Sequence, residues 1–289
     1  MTRCLKSGLW SVGAVLVALS LVACGGSSGG QPPSSGASAA SGGVSVPAGA
    51  VLKAGQITYC SDLSAPPTGY LDASQKPIGA EVELGDAMAK AMGLKAVWAN
   101  TAFSGIIPAL QAKQCDAILS QLYIKPEREK VVDFIPYMHS SNTVLVSASA
   151  TEVTGLDSLC GKKAAAQTGT TIAGSLKETG DKCTGAGKPA IDIRLFTKDS
   201  DALQQLRIGL VDAYGTTLEA AAYAMKQQPG TFAMAGEPFG LIKCGIATRK
   251  DNAELNVALK AALVAVQADG TYDSVLKSWN LSGDALKAS

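Results

Sequence analysis

Histidine is almost missing from this chain of 289 residues, His139 being the single copy. With no Cys-x-x-Cys pair to join it, no metal site is expected. An excess of either charge is also lacking, since 25 Lys and Arg face 24 Asp and Glu for a net charge of +1. Without a basic cluster or an aromatic RNA-binding motif, there is no electrostatic case for a nucleic-acid partner. Nucleophile-elbow, phosphate-loop and metal-ligand motifs are absent, so no cofactor is implied. No internal repeat is strong enough to count. No apolar run reaches the roughly 20 residues that span a bilayer comfortably.

The longest uncharged apolar run, residues 9–23, follows Arg3 and Lys6. That is the pattern of a secretory signal peptide, expected over 1–23. It ends in Leu21-Val22-Ala23-Cys24 with Gly25 next, which looks like a bacterial lipobox. Cleavage before Cys24 and acylation there would fix the chain to a membrane through several acyl chains, where one alone would be marginal. The other reading is an ordinary membrane span with an incidental Cys24, and the run is short for it. Gly, Ser, Ala and Pro dominate the next residues, and no charge occurs between Lys6 and Lys53. Residues 24–50 therefore read as the lipidated cysteine and a flexible tether. Beyond Cys4 and Cys24, five cysteines remain for an oxidising compartment. Cys160 and Cys183 are the expected disulfide, with Cys60, Cys115 and Cys244 left open.

After the tether, strand and helix patterns alternate, which reads as α/β. Residues 81–92 carry Leu84, Ala87, Met88, Ala91 and Met92 on one helical face, and Gly93 follows as a stop. Strands are expected at 56–60, 94–98, 117–122, 163–167, 191–196, 211–214 and 231–235. Helices are expected at 106–112, 170–178, 200–207, 218–227, 253–268 and 272–279.

Several strings then match a known pattern in order and spacing. They are Ile78-Gly79-Ala80-Glu81-Val82-Glu83-Leu84, Phe103-Ser104-Gly105-Ile106-Ile107-Pro108-Ala109-Leu110 and Lys125-Pro126-Glu127-Arg128-Glu129-Lys130-Val131-Val132-Asp133-Phe134. Gly161-Lys162-Lys163, Gln167-Thr168-Gly169-Thr170-Thr171 and Ala268-Asp269-Gly270-Thr271-Tyr272 follow. Each is weak alone. Together, over nearly all of 51–281, they resemble the family 3 extracellular solute-binding proteins that serve polar amino acid importers. The resemblance implies a two-lobed, type II periplasmic-binding-protein-like fold whose lobes are joined by two crossing strands. Lobe 1 would comprise 51–141 and 243–289 and lobe 2 residues 142–242, with 143–147 and 242–248 as the crossings. The ligand would sit between the lobes at the carboxyl ends of strands. A permease and an ATPase would be the partners of a monomeric binder that is not itself an enzyme.

By that resemblance Arg128 grips the ligand's carboxylate, a role suited to a planar fork with two parallel donors. Otherwise it is a surface arginine pairing with Glu127, Glu129 or Glu81. Gly169, Thr170 and Thr171 lie between a strand and a helix, where backbone N–H groups and the helix dipole favour an anion, although either threonine can simply cap its helix. Ser120 and Tyr123 match ligand-contacting positions, and Phe103 matches an aromatic wall or is core. Thr217 stands where the family usually has the aspartate that pairs with an α-ammonium, while Asp212 matches a structural position. Ala65 and Thr68 replace bulky rings. A buried ammonium without a counter-charge costs several kcal/mol. The implied solute therefore has one carboxylate and a cationic or polar group elsewhere, within reach of Asp62 or of Glu219. Asp62 can equally cap the Pro66-Pro67 loop, and Glu219 reads as a solvated helix residue. His139 reads as a hinge or surface residue.

Two rival classes share the fold. A periplasmic cyclohexadienyl dehydratase needs a general acid in the cleft, for which Asp62 is the sequence's only candidate. A sensor domain would be fused to a signalling segment, which is not expected in this chain.

Overall fold

The computed structural model describes residues 43–286. The signal peptide, Cys24 and most of the tether lie outside the described residues. Residues 44–50, expected as the end of that tether, instead pack onto the folded part. Val44 and Val46 lie against the core, Ala50 is buried, and the Val44 N–H donates to Ala91 O at 2.9 Å. Spaced apolar residues within a Gly-rich stretch are enough to dock it.

Strand β1 (Gln56–Ser61) lies between β5 (Lys95–Asn100) and β6 (Ala117–Ile118), parallel to both. Between β1 and β5 come a small antiparallel sheet, β2 (Ser64–Ala65), β3 (Gly69–Leu71) and β4 (Pro77–Ile78), and helix α1 (Ala80–Ala91). Gly79 enters α1 at φ 126°, where an added Cβ would stand 2.4 Å from Thr68 O. Only glycine fits that turn. Successive residues of β1 feed opposite faces of the sheet: Tyr59 packs with α1, and Cys60 with α2 (Ile106–Gln111). The strand expected over 117–122 stops after Ile118. Gln121 adopts φ 44°, its N–H bound by the Glu81 carboxylate, and the chain rejoins the sheet beyond it, Tyr123 bridging Cys244.

The short helix α3 (Pro126–Glu129) leads into β7 (Val132–Ser147), which pairs antiparallel with β12 (Phe239–Arg249). These two strands run longer than the crossings expected at 143–147 and 242–248. The first part of β7 pairs with β12. On its other edge residues 142–146 pair with β10 (Ala213–Thr217), and beyond β12 residues 145–147 pair with β11 (Phe232–Met234). Pro136 breaks the alternating pattern that would have revealed β7, and a register shift at Cys244/Gly245 sits opposite it. His139 lies half-buried within β7, paired with Lys243.

A second set of parallel strands, β8 (Lys163–Gln167) beside β9 (Asp192–Phe196) and β10, is covered by α4 (Thr171–Gly185), α5 (Asp199–Arg207) and α6 (Leu218–Gln227). Ala164 and Ala166 face α4, and Ala165 faces α5 and α6. Helices α7 (Ala253–Ala268) and α8 (Thr271–Ser278) return the chain to the first strands, Leu255, Leu259, Leu263 and Tyr272 entering the same core as Tyr59. The result is two α/β halves on one continuous sheet, ordered β5-β1-β6-β12-β7-β10-β8-β9.

Cys160 and Cys183 are disulfide-bonded, as expected, and so are Cys60 and Cys115, while Cys244 is free and buried. In the chain-entropy model, closing loops of 23 and 55 residues stabilises by about 3 and about 4 kcal/mol.

Candidate functional site

A cavity partly open to solvent lies where the loop after β1, residues 120–123 and α3 meet the N-terminal ends of α4, α5 and α6. Asp62, Phe103, Ser120, Tyr123, Arg128, Thr170, Thr171 and Thr217, singled out from sequence, all line it. Gly169 does not line it; it lies in a neighbouring pocket that shares Phe103 and Arg128 with the cavity, where its carbonyl accepts from Arg128 Nη2 at 3.4 Å. Its φ of +85° brings the loop so close to Ser104 that a Cβ would stand 3.0 Å from Ser104 Cα.

Arg128 follows Pro126 in the single turn of α3. Its Nη1 donates to Tyr123 O at 3.0 Å, and its guanidinium lies 5.7 Å from the centre of the Phe103 ring. Among the described residues, no carboxylate is paired with it. Lys125, rather than Arg128, takes Glu127 at 2.8 Å. Burial lowers its pKa, but an arginine stays charged. A charged planar donor thus faces the cavity with two carbonyls as its protein partners. Phe103 fulfils both readings, packing on the core around Ile106 and lining the cavity.

The threonines likewise do two things. Thr170 Oγ1 accepts from the Ala173 N–H at 3.3 Å and donates to Gln167 O at 2.7 Å, capping α4. Thr217 caps α6 through the Ala220 N–H at 3.3 Å. The Thr171 hydroxyl is buried without a partner among the described residues, beside the positive end of a 15-residue helix.

Acidic groups gather around Asp62. Its carboxylate accepts from the Phe103 N–H and from Gln167 Nε2, each at 2.8 Å, and from the Ser64 hydroxyl. Ser64 Oγ in turn accepts the Asp199 N–H at 3.0 Å. Asp199 binds the hydroxyls of Tyr214 and Thr216. Both aspartates are buried lining residues, so two carboxyls share one polar corner of the cavity. Ser120 Oγ completes the corner by accepting the Asp62 N–H at 2.9 Å. The bonds from Gln167 to Asp62 and from Asp199 to Ser64 run from one α/β half to the other, drawing them together over the cavity.

Glu81 lines the same cavity, bound by the Tyr137 hydroxyl and the Gln121 N–H. Glu219, expected to be solvated, is 3% exposed. It lies outside the cavity lining, behind Gln121, whose Nε2 donates to its Oε2 at 2.8 Å. Burial pushes the carboxyls of Glu81, Asp199 and Glu219 up to about 7 against the hydrogen bonds they accept. Asp62 rises for the same reason. An unfolded carboxyl titrates near 4. Between roughly pH 4 and 7 the folded chain therefore holds protons that the unfolded chain has lost, and stability falls as pH rises, by up to about 1.4 kcal/mol per pH unit for each group. Thermal melts of the ligand-free protein should give a higher Tm at pH 5 than at pH 7.5. Glu81→Gln should reduce that difference.

Sequence reasoning missed Glu81, Gln121, Asn142, Gln167, Asp199 and Thr216 as lining residues. Asp199 opens α5 with Asp201 in the same first turn, and that pattern reads as dipole stabilisation. Only the tertiary contact with Ser64 distinguishes it.

Two α/β halves, joined by paired long strands and closing on a polar cavity, define the two-lobed, type II class of periplasmic-binding-protein-like folds. The model of the bacterial extracellular solute-binding proteins, family 3, matches residues 57–282, and the chain belongs to that family. It is 31% identical over 216 residues to the L-cystine-binding protein TcyJ of Escherichia coli (strain K12), covering 74% of this chain and 78% of that one. The lysine/arginine/ornithine-binding periplasmic protein of Escherichia coli (strain K12) is 31% identical over 235 residues, covering 78% and 88%. An ancestral arginine-binding protein bound to arginine has a TM-score of 0.72 at 33% identity, covering 78% and 98%. Membership makes this chain an extracytoplasmic solute-binding protein. Among the described residues, no helix is long and apolar enough to cross a membrane.

Proposed function

We propose that the cavity takes an amino acid or related small carboxylate bearing a cationic group, and that the chain delivers it to the permease and ATPase of an importer. The supporting observation is a separated set of unlike charges lining one cavity. Among the described residues, Arg128 has no acidic partner and neither Asp62 nor Asp199 a basic one. Arg128, Thr170, Thr171 and the Gly169 loop would hold the carboxylate, with Ser120, Tyr123 and Phe103 forming the wall beside it. Asp62 and Asp199 would hold the cation. Thr217, with neutral Asn142 paired to it, leaves the usual α-ammonium position uncharged. The name of one relative, with lysine, arginine and ornithine as its solutes, fits an end that reads a cation.

On this reading lobe 1 comprises 51–141 and 243–289 and lobe 2 residues 142–242, closing as a hinge. Cys24 would be acylated and the protein held, as a monomer, at the outer face of the membrane by its tether. A calorimetric screen tests the solute: basic amino acids and ω-guanidino acids should bind, and neutral α-amino acids should bind far more weakly.

One observation favours a second reading. Asp199, with its carboxyl pushed up to about 7, is the proton donor that a dehydratase would need in the cleft. Incubation with prephenate or arogenate distinguishes the two, since a binder leaves either unchanged.

A further inference from the structure

Away from the solute cavity, helix α6 joins the two α/β halves by a second route. Its Ala221 and Ala224 share a core with Ala165 of β8 and Tyr214 of β10, which fixes the helix to its own half. Glu219 and Tyr223, four residues apart and so neighbours on the helix surface, bond instead to residues of the other half. Glu219 Oε2 accepts from Gln121 Nε2 at 2.8 Å and from Ser140 Oγ, on β7, at 3.0 Å. Gln121 Nε2 also donates to Ser140 Oγ at 3.2 Å, so the three side chains form a closed triangle.

One turn further along α6, the Tyr223 hydroxyl is hydrogen-bonded to that of Tyr70, on β3, at 3.3 Å. The two rings lie 6.1 Å apart, centre to centre. Trp279 meets the Tyr70 ring edge-on at the same distance, so the residue that receives Tyr223 is itself held within the first half. Tyr70, Glu219 and Tyr223 do not line the solute cavity, whereas Thr217, whose hydroxyl caps α6, does. The helix thus offers its N-terminal end to the solute and one side to the opposite half.

We infer that the side of α6 carrying Glu219 and Tyr223 is a clasp that holds the two halves closed. Tyr70, Glu219 and Tyr223 are positioning residues for solute binding that do not touch the solute. A solute held by both halves is bound by the closed form, so its apparent affinity follows the closed fraction. The clasp favours closure whatever occupies the cavity. Its loss therefore weakens every solute by the same factor and leaves selectivity unchanged. An aromatic pair with a hydrogen bond is enough to change the ratio of closed to open forms by about tenfold.

Amide hydrogen exchange of the ligand-free full chain tests the clasp without any solute. The readout is the Asp199 N–H, which donates across the gap to Ser64 Oγ at 3.0 Å and is freed when the halves part. In Tyr223→Ala, which keeps a strong helix former in α6, exchange at Asp199 should quicken severalfold while the amides of α6 keep their rate. Tyr70→Phe, which removes only the hydroxyl, should quicken it less, and decides by the same criterion if Tyr223→Ala does not fold. Unchanged exchange at Asp199 would overturn the inference. So would an equal rise within α6, which would make Tyr223 a prop of its own helix. A second arm rests on the proposed solute reading: Tyr223→Ala should raise the Kd of L-arginine and of 4-guanidinobutyrate by the same factor of about ten. Unequal factors would overturn the inference. A parent that binds neither solute would count against the proposed function, with the clasp still decided by exchange.

Discussion

Arg128→Ala is expected to weaken solute binding by roughly 30-fold or more. A guanidinium that donates two parallel hydrogen bonds to a carboxylate in a closed cleft contributes roughly 2–5 kcal/mol when its removal strands the other charge, and each 1.4 kcal/mol is about tenfold in Kd. The fold should not suffer equally. Arg128 donates only to the carbonyls of Tyr123 and Gly169 and has no ion-pair partner among the described residues, so the Tm of the ligand-free variant should stay within a few degrees of the parent. Arg128→Lys should restore part of the affinity, because an ammonium keeps the charge but loses the planar fork. Calorimetry with the best-binding solute of the screen measures all three proteins. A Kd unchanged in Arg128→Ala would remove the carboxylate subsite from the account.

The second large effect lies at the acidic corner. Asp62→Asn or Asp199→Asn should weaken a cationic solute by roughly 30-fold or more, since a charge pair in a desolvated cleft is worth about 2–3 kcal/mol beyond a neutral hydrogen bond. Neutral solutes should lose little and can gain, because amides no longer need a cation. The two substitutions should not be additive. Ser64 Oγ joins both aspartates, donating to one and accepting from the N–H of the other, and groups in one hydrogen-bonded network couple. A double-mutant cycle on the Kd of a basic and of a neutral amino acid separates selectivity from general damage.

Much of this was legible in the amino-acid order because apolar spacing is a local signal. Leu84 and Met88 announced α1, and the spans of α6 and α7 agree with their expected 218–227 and 253–268. Where the reading failed, a distant partner decided the outcome. The strand expected over 117–122 is interrupted at Gln121, whose N–H binds the Glu81 carboxylate 40 positions away. Glu219 is buried because Gln121 and Ser140 supply its hydrogen bonds, and nothing near 219 in sequence reveals either. Asp62 was legible as a candidate, but Asp199, 137 positions on, becomes its neighbour only through Ser64. A carboxylate in the first turn of a helix looks the same in sequence whether it faces solvent or a ligand.

The account's central claim is that one cavity reads a carboxylate with Arg128 and a cation with Asp62 and Asp199, without requiring an α-ammonium. A calorimetric comparison of 4-guanidinobutyrate, L-arginine and L-norleucine tests it most directly. The guanidino acid, which has the carboxylate and the distal cation but no α-ammonium, is predicted to bind at least as tightly as arginine, and norleucine to bind at least about 30-fold more weakly than either. Tight binding of norleucine with no measurable binding of 4-guanidinobutyrate would contradict it.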